Sequence, residues 1–257
     1  MPKIERVLKA IHWFLSGDPA QRRRVRLECA RIAMSFFGDF SLGDDYKLWL
    51  EDKNFRHQFK AVSPISPYSE ERKWTLREFA RYVHDTPGSM AECGCYQGAS
   101  AYFMAEANPD VPLHLFDSFE GLSQPDKSDM TSRKDKRTWE KGDLSTPEET
   151  ARQTLKGFPN IHFHKGWIPE RFPDVVEEKF RLVHIDVDLY QPTMDSLLFF
   201  YPRMSHKGII ILDDYGSSIC PGAHKAANEF MSDKPEYIIH LSTMQGIIII
   251  DRCEHSK

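Results

Sequence analysis

The chain has 257 residues, 40% of them apolar and 28% charged, with a formal net charge of −4. That length holds one large domain, or one domain with an extension, and the apolar share supplies a buried core. So small a charge gives no ground for nucleic-acid or membrane partners, and no apolar run approaches the roughly 18–20 residues of a membrane span.

The pattern is helical from Met1 to about Arg81. "VLKAIHWFLSG" is apolar, but Lys9 and His12 interrupt it and no small-residue cleavage site follows, so it reads as an amphipathic helix rather than a signal peptide. "AQRRRVRLECARIAMSFF" has apolar residues three and four apart, and its basic run reads as a solvated helix face. A helix from Ser69–Glu70–Glu71 to about His84 follows. The expected division is an N-terminal helical extension over 1–67 and a main domain over 68–257.

From Ser89 the grammar changes. "SMAEC", "PLHLFD", "NIHFHKG", "FRLVHIDVD" and "KGIIILDDY" read as strands, each followed by a helical stretch, except that a long polar insertion near 122–146 precedes the helix opened by Pro147. "EYIIHLS" and "QGIIIIDR" close the chain as two strands with no helix between them. Alternating strands and helices imply right-handed crossovers and a mainly parallel sheet, with an antiparallel C-terminal hairpin at one edge. That order matches Rossmann-like methyltransferases. In such sheets ligands bind beyond the carboxyl ends of the strands. Glu92, Asp117, Asp186, Asp188, Asp213 and Asp214 all fall there.

Five scattered cysteines (Cys29, Cys93, Cys95, Cys220, Cys253) without a CxxC spacing read as reduced structural thiols of a cytoplasmic protein. "AECGCYQGAS" offers E-x-G-x-x-x-G through Glu92, Gly94 and Gly98. It differs from the dinucleotide fingerprint in its spacing, and its strand-end acid suits a cationic ligand. S-adenosylmethionine, with a sulfonium and an ammonium group, fits. Asp117 sits where such folds place an acid for two ribose hydroxyls.

Strand alternation would put Asp186 and Asp188 on one side, with Val187 opposite. With Asp213 and Asp214 on a neighbouring strand, three or four carboxylates would converge. Unpaired, they would raise one another's pKa; a hard divalent cation, Mg²⁺ before Mn²⁺ or Ca²⁺, removes the conflict. The alternative is a cap: Asp188 lies just before a helix start.

Together "MAECGCYQGAS", "LFDSFEGL", "HKGWIPERFP", "LVHIDVDLYQPT" and "GIIILDDYG" resemble the macrocin O-methyltransferase (TylF-like) family, over roughly Tyr68 to Asp251. The resemblance implies an S-adenosylmethionine- and Mg²⁺-dependent O-methyltransferase acting on a sugar hydroxyl of a natural product. By resemblance, Asp186, Asp213 and Asp214 hold the metal, Asp188 (with Asp186 as the alternative) is the general base, and Glu92, Gly94, Tyr96, Gly98, Ser100, Asp117 and Asp186 bind the cofactor. Ser118, Gly166 and Trp167 then line its pocket. The acceptor is a small hydroxyl compound, and a homodimer or higher oligomer is compatible with the N-terminal helices. The insertion corresponds to the family's variable lid region, so acceptor identity does not carry over.

His162 and His164 alternate along one strand and read as packing rather than ligands. His224 falls near the expected mouth, as do Tyr190, Gln191 and Tyr215, and Trp139 in the insertion reads either as a platform for a sugar face or as an ordinary exposed loop tryptophan. Three rivals remain: a DxD glycosyltransferase, a haloacid-dehalogenase phosphatase and a non-catalytic S-adenosylmethionine-binding protein. The first leaves Glu92 and Asp117 unexplained. The second needs Thr or Val where Tyr190 stands. The third ignores the second acidic pair.

Overall fold

The computed structural model describes residues 3–34, 47–62, 70–132 and 138–252. Ser35–Phe37, Ser69 and Cys253, each part of an expectation above, lie outside them, as do 133–137 of the insertion. Two compact units divide at 52/53.

The first unit holds α1 (Lys3–Ser16), α2 (Pro19–Met34) and a short α3 (Leu48–Glu51). A reciprocal cap starts α2: Gln21 N–H donates to Asp18 Oδ1 at 2.8 Å and Asp18 N–H to Gln21 Oε1 at 3.0 Å, with Pro19 in the first turn. Arg22, Arg23, Arg24 and Arg26 are exposed around a buried Val25, as the solvated-face reading expects.

The second unit opens with α4 (Lys53–Val62), which the sequence reading placed in the extension, and α5 (Glu70–Tyr82). Phe55 of α4 is fully buried, its ring 5.0 Å from both Trp74 and Phe103. Then come β1 (Ser89–Cys93), α6 (Ala99–Ala107), β2 (Leu113–Asp117), α7 (Glu148–Thr154), β3 (Ile161–Lys165), β4 (Phe180–Ile185), α8 (Tyr190–Phe200), β5 (Met204–Leu212), α9 (Pro221–Met231), β6 (Ile239–His240) and β7 (Gly246–Ile249).

The sheet order is β3-β2-β1-β4-β5-β7-β6. β1 to β5 run parallel, and β7 is antiparallel to both β5 and β6. The central strands are apolar on both faces because helices cover both. Leu76, Ala101, Met104, Ala151 and Leu155 belong to the core of one face. Leu197, Phe200, Ala227 and Phe230 belong to that of the other. The closing hairpin sits at the edge as expected, but its later strand lies inside, next to β5. Strand order reverses between β1 and β4, so their carboxyl ends flank the crevice that such a switch point opens.

Candidate active site

β4 pairs with β1 on one side and β5 on the other, so the segments leaving these three strands emerge together. Gly94, just after β1, has φ +81°, and a Cβ there would lie 1.9 Å from the carbonyl oxygen of Asp186. Only glycine lets the turn after β4 pass that close. Asp186 N–H completes the crossing by donating to Cys93 C=O at 2.9 Å.

The alternation expected for Asp186 and Asp188 needs correcting: β4 ends at Ile185, so both lie past the strand. Leu189 N–H donates to Val187 C=O at 2.6 Å, and Asp188, between them, has φ +60°. Such three-residue turns with a left-handed centre are rare and strained, and strain of this kind gathers at functional sites. Both carboxylates still reach the same cavity, of about 610 Å³, together with Asp213 and Asp214 from the end of β5.

The floor is a chain of charges. His184, fully buried on β4, donates from Nδ1 to Glu92 Oε1 at 2.8 Å and from Nε2 to Asp213 Oδ1 at 3.2 Å. Burial pulls its pKa down, but the bonds to Asp213 and Glu92 outweigh that and raise it to about 10. Asp213 also accepts from Gln245 Nε2 at 2.7 Å and from Arg72 Nη1 at 2.6 Å. Burial opposes its ionisation; His184, Lys73 and Arg72 override that and hold it below the usual carboxylate range.

The other three acids go the opposite way. Burial, then the charges of Asp213 and Asp214, push Asp186 well up. Burial and Asp186 push Asp188 to about 7. Burial, Asp188 and Asp213 push Asp214 to about 8. Candidate donors fall into two groups, His184–Asp186–Asp213 and Asp188–Asp214–Cys220. Both nitrogens of His184 are occupied, so it has none to offer a metal. The expected trio of Asp186, Asp213 and Asp214 is thus divided between the groups. Asp188 Oδ1 accepts from the Cys220 thiol at 3.3 Å, and Asp214 Oδ2 is buried without a partner.

At the other end Asp117 Oδ2 accepts from Cys95 N–H at 2.9 Å and Tyr96 N–H at 2.8 Å, and Oδ1 from Phe119 N–H at 2.7 Å. A carboxylate offers about four lone-pair sites, so this arrangement leaves room for about one further donor rather than two. Tyr96, Ser118 and Trp167 line the cavity beside Asp117. Glu92, Gly98, Ser100 and Gly166 are not among its lining residues. Glu92 serves His184; Gly98, at φ +82°, precedes α6; Ser100 is buried in α6; Gly166, at φ +150°, donates to Asp117 C=O at 3.0 Å.

Gln191 and Trp139 line the cavity; Tyr190, Tyr215 and His224 do not. Tyr190 donates its hydroxyl to Glu229 at 2.7 Å, and His224 Nδ1 meets Tyr215 C=O at 2.7 Å. His162 and His164 stack on His114 at 5.0 and 5.2 Å, a packing arrangement. Sequence reasoning missed Arg72, Lys73, Gln245 and Cys220. Nothing in "EERKW" separates two site cations from the solvated charges around them.

Two solved structures share the fold. The O-methyltransferase NovP superposes at TM-score 0.59 and 22% identity, over 71% of this chain and 81% of that one. The calicheamicin methyltransferase CalS11 does so at 0.60 and 18%, over 82% and 99%. The sequence profile of the macrocin-O-methyltransferase (TylF) family matches residues 68–239, and the chain belongs to that family. It is 29% identical over 147 residues to the 8-demethyl-8-(2,3-dimethoxy-alpha-L-rhamnosyl)-tetracenomycin-C 4'-O-methyltransferase of Streptomyces olivaceus, over 53% of this chain and 56% of that one. It is 27% identical over 156 residues to the mycinamicin III 3''-O-methyltransferase of Micromonospora griseorubida, over 56% and 60%. The chain thus matches somewhat more than half the length of these relatives. The family match removes the support for the glycosyltransferase and phosphatase readings of the D-V-D motif. Among the described residues no helix is long and apolar enough to cross a membrane.

Proposed function

We propose that this chain transfers the methyl group of S-adenosylmethionine to a hydroxyl oxygen of a sugar-bearing small molecule, in the cytoplasm. The observation that carries this is a single cavity with Asp117, Tyr96 and Trp167 at one end and four carboxylates at the other. The S–CH₃ bond breaks, an O–CH₃ bond forms, the hydroxyl proton passes to the protein, and neutral S-adenosylhomocysteine leaves. The relative named for 4'-O-methylation of a rhamnosyl-bearing tetracenomycin supports a sugar hydroxyl as acceptor.

The acid set fits a hard divalent cation. Glu92, Asp186, Asp188, Asp213 and Asp214 face Arg72, Lys73 and His184, leaving a formal charge of about −2 when all are ionised. Asp186 and Asp213 share one donor group and Asp214, with its unpartnered oxygen, belongs to the other, so the three would have to draw together to hold Mg²⁺. Bound there, Mg²⁺ would lower the pKa of a hydroxyl and fix its position. Asp188 takes the proton: it lines the cavity, and one of its oxygens is held by the Cys220 thiol. The cavity walls hold the two reactants in line.

Calorimetric titration with S-adenosylhomocysteine tests the cofactor. Binding should be tight in the wild type and at least tenfold weaker in Asp117→Ala; no binding to the wild type would end the methyltransferase reading. Methylation of a screened acceptor should stop in EDTA and return with Mg²⁺, whereas full activity in chelator would end the metal role.

A further inference from the structure

The insertion between β2 and α7 is fastened to the second unit at several points. Its ends are zipped: Leu122 N–H donates to Asp143 C=O at 2.8 Å and Gly142 N–H to Leu122 C=O at 2.9 Å. A tight turn at Lys127–Asp129 is closed by Asp126 N–H donating to Asp129 Oδ2 at 2.8 Å and Ser128 N–H to Asp126 Oδ1 at 2.5 Å. The turn and the residues after it rest on α9 and the loop before it, through Lys225 Nζ to Ser128 Oγ at 3.0 Å and Thr131 Oγ1 to Ser218 C=O at 3.2 Å.

Asp129, only 4% exposed, does more than close its own turn: its Oδ1 accepts from Tyr190 N–H at 2.7 Å. Tyr190 opens α8, two residues after Asp188. The first amides of a helix have no partner within it. Leu189 N–H is already engaged in the left-handed turn and Pro192 has none, so Asp129 satisfies a donor at the point where the acidic turn becomes helix. A carboxylate is also favoured there by the helix dipole. A third element is built around the same atom. A Cβ on Gly222 of α9 would lie 1.8 Å from Asp129 Oδ1 and 2.8 Å from Tyr190 N.

We propose that Asp129 is a positioning residue that locks the insertion to the turn carrying Asp188. Leu122, Ser123, Trp139 and Leu144 of the insertion wall the cavity. One carboxylate therefore sets the cavity wall and the acidic turn in a single arrangement, with Gly222 keeping the space it needs. Its bearing on catalysis rests on the methyltransferase reading; the lock itself does not.

Hydrogen exchange on the full chain tests it, read by mass spectrometry for wild type, Asp129→Ala, Asp129→Asn, Gly222→Ala and the Asp129→Ala/Gly222→Ala pair. In Asp129→Ala, segments 122–132 and 139–146 and the first turn of α8 should exchange at least tenfold faster, with β1, β4 and β5 unchanged. Asp129→Asn should fall between, because its carbonyl oxygen still accepts from Tyr190 while its amide opposes Asp126 N–H. Gly222→Ala should loosen the same segments alone and have a clearly smaller effect on top of Asp129→Ala, since the 1.8 Å clash with Asp129 Oδ1 is then gone and only the 2.8 Å approach to Tyr190 N remains. Unchanged exchange in the insertion, additive effects in the pair, or loss of protection across the whole sheet would each overturn the proposal. S-adenosylhomocysteine titration of the wild type judges the methyltransferase reading separately.

Discussion

His184 shows how a residue type acquires its meaning from its neighbours. It is buried between two carboxylates, so folding holds a charge that water would otherwise hold, and both nitrogens must find acceptors. Replacing it by leucine leaves Glu92 and Asp213 without that partner and should cost about 3–5 kcal/mol by denaturant unfolding at pH 7. A loss below 1 kcal/mol would mean the bridge is dispensable. The sign with pH follows from a folded pKa of about 10 against 6.5 unfolded. The contribution is complete below pH 6.5 and fades as pH rises towards 10, so wild type and variant should converge there. The four aspartates at the strand ends were legible in the sequence, because an acid ending an apolar run is conspicuous. The cations that face them were not. Arg72 and Lys73 look like any solvated pair on a helix, and only tertiary packing turns them inward.

At the scale of elements, β2 and β3 carry a histidine ladder whose alternation the sequence displayed and whose partner it did not. His114 Nδ1 lies 3.0 Å from His164 Nε2, and His164 Nδ1 lies 3.0 Å from Asp174. Glu178 stands 3.4 Å from the far nitrogen of His114, and His162 stacks on its face. Burial outweighs Glu178, and His164 and His162 add to it, so the His114 pKa falls to about 4. A histidine depressed in the folded state works opposite to His184: stability is whole above pH 6.5 and is lost as pH falls through 6.5 towards 4. His114→Phe should flatten that acid limb in urea melts between pH 4 and 7, and an unchanged slope would remove His114 as its source. The order and direction of the strands were readable because apolar runs alternate with helical stretches. The end of β4 was not. "IDVD" continues the strand pattern, but the chain leaves the sheet after Ile185, passes the Asp186 carbonyl over Gly94 and then turns at Asp188 with φ +60°.

For the whole molecule, the acidic site is a standing cost of the fold. Asp214 is raised to about 8 from 3.8, so between those pH values the folded chain binds a proton that the unfolded chain does not. The Asp214 contribution to stability is therefore complete below 3.8, declines as pH rises, and levels off above 8. Asp214→Asn removes the titrating charge and keeps the volume. In EDTA at pH 8.5 it should raise stability by about 1–2 kcal/mol, a few degrees in Tm for a domain of this size. Mg²⁺ should reverse the order. A cation that binds only the folded state stabilises by about 2.7 kcal/mol at a concentration one hundred times its Kd, and only the chain with its full acid set gains this. The wild type would then be the less stable protein in chelator and the more stable one in Mg²⁺, the signature of a site kept for function at the expense of the fold. Scanning calorimetry of both chains in both conditions reads the crossing. Parallel shifts in the two chains would place the cation elsewhere. A wild type already the more stable in EDTA would show that Arg72, Lys73 and His184 neutralise the cluster unaided.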